Sequence, residues 1–204
     1  MSALLAIDTA APRLQLALLG NDRVDTLIED MPTGQAERIF PAIAELLARA
    51  GVTYADLTRI AVTTGPGSFT GLRIGLSAAR GLGLALGIPV VGIGSLQAIS
   101  LSAPSRTPLA VLLDARRNES YFERFLAPGV PADGALLLPT ETALGRVPEG
   151  TAPLTDPFPD IGALAGFAHD LDPALFPPEP NYIRDADAKP QDKFSVARLS
   201  ETTP

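Results

Sequence analysis

The sequence predicts an α/β protein with mixed sheets and flanking helices, and three observations predict it. Apolar runs at the start of the chain are separated by turn signals, the pattern of an antiparallel meander. Segments of helical and strand period then alternate, which builds parallel crossovers. Of the 204 residues, 46% are apolar, enough to bury an interior.

The elements follow in order. "ALLAID" (3–8) reads as a buried strand, and "RLQLALLG" (13–20) alternates as a second. Gly20-Asn21-Asp22 signals a turn into "RVDTLIED" (23–30), a third strand. "TGQAERIFPAIAELLARAG" (33–51) predicts a helix capped by Thr33 and ended by Gly51, with Ile39, Ile43, Leu46 and Leu47 on its apolar face. Pro41 is expected to bend it. "RIAVTTG" (59–65) is a short buried strand that leads into a glycine-rich loop and a second helix. "IPVVGIG" (88–94) is a buried strand, and "SLQAISLSA" (95–103) a short helix capped by Ser95. "PLAVLLDARRNESYFERFLAP" (108–128) reads as two strands around a polar turn at Arg116-Arg117-Asn118. From about Pro173 the chain reads as an extended tail.

Composition excludes several classes. Without cysteine there is no disulfide scaffold, thiolate zinc site or cysteine nucleophile, which fits a reducing cytoplasm. "MSALLAIDTAAP" lacks the basic region of a signal peptide. The longest apolar stretch, "GLGLALGIPVVGIG", falls short of the ~20 residues that span a bilayer, so no membrane association is expected. The net charge is −7, and both lysines, Lys189 and Lys193, lie near the end of the chain. Such a chain is a poor candidate for the main contact to nucleic acid.

The stretch "VTTGPGSFTGLRIGLSAARGLGLALG" (62–87) looks like a phosphate loop but fails the named motifs. A P-loop needs a lysine after its last glycine, and here Leu72-Arg73 follow Gly71. In the dinucleotide pattern, Thr70 stands where the third glycine belongs. Gly65-Pro66-Gly67 therefore reads as a tight turn, with a generic anion site at the helix start as the other reading. In the helix, Gly71, Gly75, Ala79, Gly83 and Gly87 recur every fourth residue, a groove of bare backbone up to ~25 Å long. Each internal glycine costs about 1 kcal/mol relative to alanine, so close packing is expected to offset it. With Leu72, Ile74, Leu76, Leu82, Leu84 and Leu86, the helix is apolar nearly all round. Two readings of the stripe stand side by side: packing against helix 34–50 of the same chain, or contact with a partner.

Other chemistry is sparse. His169 is the only histidine, so a metal site by histidine spacing is not expected. No G-x-S-x-G elbow is present. Asp8 and Asp114 each end a strand. The pair has the placement of a magnesium–phosphate cleft, but strand ends also carry aspartate for turn reasons alone.

Four stretches together resemble the bacterial TsaB (YeaZ) family: "LLAIDTA" (4–10), "GPGSFTGLRIGLSAARGLGLALGIPVVGIGSLQAIS" (65–100), "LLDARRNESYFERF" (112–125) and "PNYIRDADAK" (180–189). The second is the longest and most specific. The resemblance implies an actin-like (ASKHA, RNase H-like) fold in two lobes, with the second reduced. The lobes are expected at 1–103 and 104–178, followed by a tail at 179–204. It implies a non-catalytic subunit of the machinery that makes N6-threonylcarbamoyladenosine at adenosine 37 of tRNA. Its implied partners are the catalytic paralogue TsaD and the ATPase TsaE, with tRNA met only through the complex. The all-round apolar character of the second helix in turn predicts a homodimer when the chain is alone. The docking surface implied is Ala36, Ile39, Phe40 and Ile43 on the first helix, with Gly71, Leu72, Gly75, Ala78, Ala79, Leu82, Gly83 and Leu86 on the second. Asp8, Thr9 and Asp114 are the implied remnant of a nucleotide site, without metal or cofactor in this chain; ATP or ADP belongs at an interface of the complex. Family members often open the first helix with histidine and serine, where this chain has Gly34-Gln35. The alternatives are an independent ATP-dependent phosphotransferase on the same fold and, third, a glycoprotease-like peptidase, for which the chain has neither nucleophile nor paired histidines.

Overall fold

The structure, a computed structural model, describes residues 2–20, 23–104 and 108–183. In chain order it contains β1 (Ala3–Asp8), β2 (Arg13–Gly20), β3 (Arg23–Asp30), α1 (Gln35–Ala50), β4 (Leu57–Thr63), α2 (Phe69–Leu86), β5 (Val90–Ile93) and α3 (Ser95–Ser100). Then come β6 (Leu109–Asp114), β7 (Glu119–Ala127), β8 (Val130–Pro131), β9 (Leu136–Pro139), α4 (Thr140–Leu144) and α5 (Ile161–Ala168). The first sheet has the order β3-β2-β1-β4-β5. Its meander β1–β3 is antiparallel, whereas β1, β4 and β5 are parallel neighbours, so β3–β4 and β4–β5 need crossovers. The crossovers are α1 and α2.

Alternating side chains give this sheet two cores. On one face Leu5, Ile7, Leu14 and Leu16 meet Ile39, Ile43, Leu46 and Leu47 of α1 and Leu76 and Ala79 of α2. On the other, Leu4, Ala6, Ala61, Val91 and Ile93 meet Ala98 and the apolar α5. The second sheet is antiparallel, with β7 paired to β6, β8 and β9. Helix α3 joins the two halves: Leu96 and Ile99 pack on Val111 and Phe125. The outer face of the second sheet packs Leu112 and Phe122 on Ala143 of α4. The β6–β7 turn lies at Arg116, Arg117 and Asn118, all with left-handed φ (67°, 57° and 59°).

Several expectations are corrected. Thr33 does not cap α1; Gly34 holds that position in the left-handed region, with no side-chain cap. Ser95 is the first residue of α3 rather than its cap, and its buried Oγ has no hydrogen-bond partner. Asn21 and Asp22 of the predicted first turn lie outside the described residues, as do residues 184–204 of the tail. Helix α5 has no sequence-based expectation behind it. It packs on β1 and β2, so this part of 104–178 belongs to the core of the first sheet.

Candidate functional site

Helix α2 explains the glycines. Ser68 caps it, its Oγ accepting from the Gly71 amide at 3.2 Å. The stripe Gly71, Gly75, Ala79 and Gly83 is buried and faces the chain's own sheet. A Cβ on Gly71 would lie 2.0 Å from the Thr9 carbonyl oxygen, and one on Gly75 2.5 Å from Thr9 Oγ1. A Cβ on Gly83 would meet Val90 Cγ2 at 2.3 Å. Thr9 Oγ1 donates to the Gly71 carbonyl at 2.7 Å and fastens the turn after β1 onto the helix. In the loop, Gly67 approaches Ala10, and the Ser68 amide donates to the Ala10 carbonyl at 2.7 Å. The bare backbone thus seats the turn after β1 and the edge strand β5. The expectation that the stripe itself is a docking surface is corrected. A helix composed of apolar residues on nearly every side does not reveal which side meets the sheet, and here the glycines do, because only they allow backbone contact.

The opposite side of α2 is open, so the helix is not buried all round. Of the twelve predicted interface residues, Ile39, Ile43, Gly71, Leu72, Gly75, Ala78, Ala79 and Gly83 are buried, Leu82 and Leu86 half-buried, and Ala36 and Phe40 exposed. A groove of about 510 Å³ runs between α1 and α2. Ile39 and Ala78 lie in its floor; Phe40, Phe69, Arg73 and Ile74 form its sides. Phe40 is 47% exposed and Phe69 46%. Arg73 lies over the Phe69 ring, its Cζ 3.8 Å from the centroid. Sequence reasoning missed Phe69, Arg73 and Ile74, although Phe69 and Arg73, four apart, were legible as one face of a helix. Gln35 is buried and donates to the carbonyls of Ala11 (3.1 Å) and Arg13 (3.0 Å), tying α1 to the turn after β1.

Asp8 and Asp114 line one cleft of about 540 Å³ between the two sheets. Asp8 is fully buried and accepts from Thr63 Oγ1 (2.6 Å), Gln15 Nε2 (3.1 Å) and the Ala10 amide (3.2 Å). Burial pushes its pKa up, against these bonds. Asp8 is therefore a crosslink of β1, β2 and β4. Asp114 Oδ1 accepts from the Arg116 amide at 2.8 Å and closes its turn. Thr9 is committed to Gly71. The lining includes Pro12, Pro66, Leu113, Pro157 and Pro159, with Arg116 its one cation among the described residues. Two carboxylates, apolar walls and a glycine-free turn after β1 do not fit a nucleotide polyphosphate. No group of three His, Asp or Glu among the described residues is placed to hold a metal. His169 is exposed, with Nδ1 2.7 Å from Asp170 Oδ1. Among the described residues no helix is long and apolar enough to cross a membrane.

Residues 33–129 match the family model "TsaD: tRNA N6-adenosine threonylcarbamoyltransferase". An uncharacterized protein of Mycobacterium tuberculosis is 37% identical over 204 residues, 93% of this chain and 95% of that one. The tRNA threonylcarbamoyladenosine biosynthesis protein TsaB of Escherichia coli is 34% identical over 125 residues, 60% of this chain and 54% of that protein. Among solved structures, YeaZ from Pseudomonas aeruginosa superposes with a TM-score of 0.74 at 28% identity, covering 89% of this chain and all of that one. A second structure, of an uncharacterized protein with similarity to peptidase YeaZ from Pseudomonas aeruginosa, gives 0.75 at 30% identity, covering 90% of this chain and all of that one.

Proposed function

The chain belongs to the TsaB (YeaZ) family, with its actin-like fold, and we propose that it serves tRNA threonylcarbamoyladenosine biosynthesis as a non-catalytic subunit that docks on and activates a TsaD-type catalytic paralogue. The observation that carries this reading is the groove between α1 and α2. It exposes Phe40 and Phe69, and it lies within the segment that matches the TsaD model. Large exposed side chains gathered in one apolar groove mark an interaction site. A partner with the same fold carries a similar helix pair, so a two-fold-like layer of four helices is the simplest arrangement. The free chain pairs with itself in the same place, and homodimer and heterodimer compete. The roles left to the rest of the assembly are a TsaE-type ATPase, tRNA binding, and an ATP or ADP site between subunits. A reconstituted modification assay, run with and without this chain, tests the proposal. Modification that needs both this chain and the TsaD-type subunit supports it; modification at the full rate without this chain overturns it.

A further inference from the structure

The chain returns to the docking groove after leaving it. Beyond α5, residues 176–182 cross the carboxyl ends of β5 and β4 as a strap. The Gly92 amide donates to the Phe176 carbonyl at 2.9 Å, and the Asn181 amide to the Thr64 carbonyl at 2.8 Å. The strap lies so close that two glycines are required beneath it. A Cβ on Gly92 would stand 2.5 Å from the Pro177 carbonyl oxygen, and one on Gly65, whose φ is +110°, 2.7 Å from that of Asn181. This contact ends at Tyr182, whose ring centroid is 5.3 Å from that of Phe69. Arg73 Nε donates to the Tyr182 hydroxyl at 3.4 Å while its guanidinium covers the Phe69 ring. Tyr182 is 41% exposed. Arg73 has no carboxylate partner among the described residues.

Resting on the docking proposed above, we infer that the strap is a built-in part of the docking face. Tyr182 packs on Phe69 and Arg73, which line one end of the groove, and the three receive, from the TsaD-type partner, an apolar side chain flanked by a carboxylate. Tyrosine and arginine are the residue types that carry binding energy at interfaces, provided they are held rigidly and half-covered beforehand. The tilted contact between the Tyr182 and Phe69 rings and the seat on Gly65 and Gly92 supply that rigidity. The Arg73 guanidinium, without a carboxylate partner among the described residues, supplies the charge that a partner carboxylate complements.

The test is the affinity of the full chain for the TsaD-type subunit of its own organism, measured by titration calorimetry for Tyr182→Ala, Tyr182→Phe, Gly92→Ala and, at the middle of the groove, Phe40→Glu. Thermal melting is followed in parallel. Tyr182→Ala is expected to weaken binding about 10- to 30-fold without lowering the melting temperature by more than a few degrees, because the side chain is half in solvent. Tyr182→Phe keeps the ring and stays within about 3-fold of the parent. Gly92→Ala displaces the strap and weakens binding with α1 and α2 intact. If Phe40→Glu abolishes binding while Tyr182→Ala binds as the parent does, the docking groove stands and the inference about the strap is overturned. If Phe40→Glu binds normally, docking on α1 and α2 is wrong, and the inference falls with it.

Discussion

Replacing Gly71 by alanine tests whether the small-residue stripe belongs to the chain's own core. The new methyl carbon would sit 2.0 Å from the Thr9 carbonyl oxygen, a backbone atom that cannot swing away. The turn after β1 and the start of α2 must part by roughly 1.4 Å to reach ordinary contact at 3.4 Å. Overpacking of this kind costs about 1–3 kcal/mol. The hydrogen bond from Thr9 Oγ1 to the Gly71 carbonyl is stretched at the same time, a further loss of about 1 kcal/mol. Against this, alanine gains about 1 kcal/mol over glycine as a helix former. The net is a loss of about 2 kcal/mol, or a melting temperature lower by roughly 4–8 °C for a chain of this size. Gly81, on the open side of the same helix with nothing within 4 Å of a Cβ, is the control. Gly81→Ala is expected to gain about 0.5–1 kcal/mol. Thermal and urea unfolding followed by circular dichroism compare the two. A Gly71→Ala variant as stable as Gly81→Ala would refute the seat of the turn on the helix.

Further outcomes follow from the two buried carboxyls. Asp8→Ala leaves the donors of Thr63, Gln15 and Ala10 without an acceptor and is expected to cost about 3 kcal/mol or more, read from urea midpoints. Glu123 lies on the β7 face that carries Tyr121 and Phe125, opposite Val111, and burial pushes its pKa up from 4.5 to about 7. Between those values the folded chain binds more protons than the unfolded chain, so stability falls as pH rises through this window, and the raised pKa of Asp8 acts in the same direction. Partial solvent contact limits the loss at Glu123 to on the order of 2 kcal/mol. Glu123→Gln should flatten the pH dependence between pH 5 and pH 8, and an unchanged slope would exclude this carboxyl as its source. Phe40→Glu should leave the melting temperature within a few degrees of the parent while shifting any homodimer to monomer in sedimentation equilibrium; a dimer that persists places self-association elsewhere.

The strands and the face of α1 were legible because each carries its own period: alternation in β2, and the spacing of Ile39, Ile43, Leu46 and Leu47 in α1. The turn at Arg116–Asn118 was legible from its polar residues between two apolar runs. Helix α5 was legible in principle and was missed: Asp160 stands before an apolar run, and its carboxylate accepts from the Gly162 and Ala163 amides. The direction of the glycine stripe was not legible, since it depends on where the turn at Thr9 comes to rest, some sixty residues away in sequence. The same holds for the strap. Its proline-rich residues carry no period, and its bonds to Thr64 and Gly92 are long-range. Asp8 and Asp114 do line one cleft, whereas Thr9 turns away from it onto α2, and the tasks of Asp8 and Thr9 were not legible, because hydrogen bonds to Gln15, Thr63 and Gly71 decide them. For the proposed docking face, the sequence named the two helices that line the groove and, on the second, mostly residues that turn toward the chain's own sheet.

The most direct test of docking through α1 and α2 is hydrogen exchange of this chain, alone and mixed with the TsaD-type subunit. Docking there predicts added protection along α1 and α2 and in the strap at residues 181–183, with β6 and β7 unchanged. Protection confined to the second sheet or to the cleft at Asp8 and Asp114, with α1 and α2 exchanging as in the free chain, would contradict it.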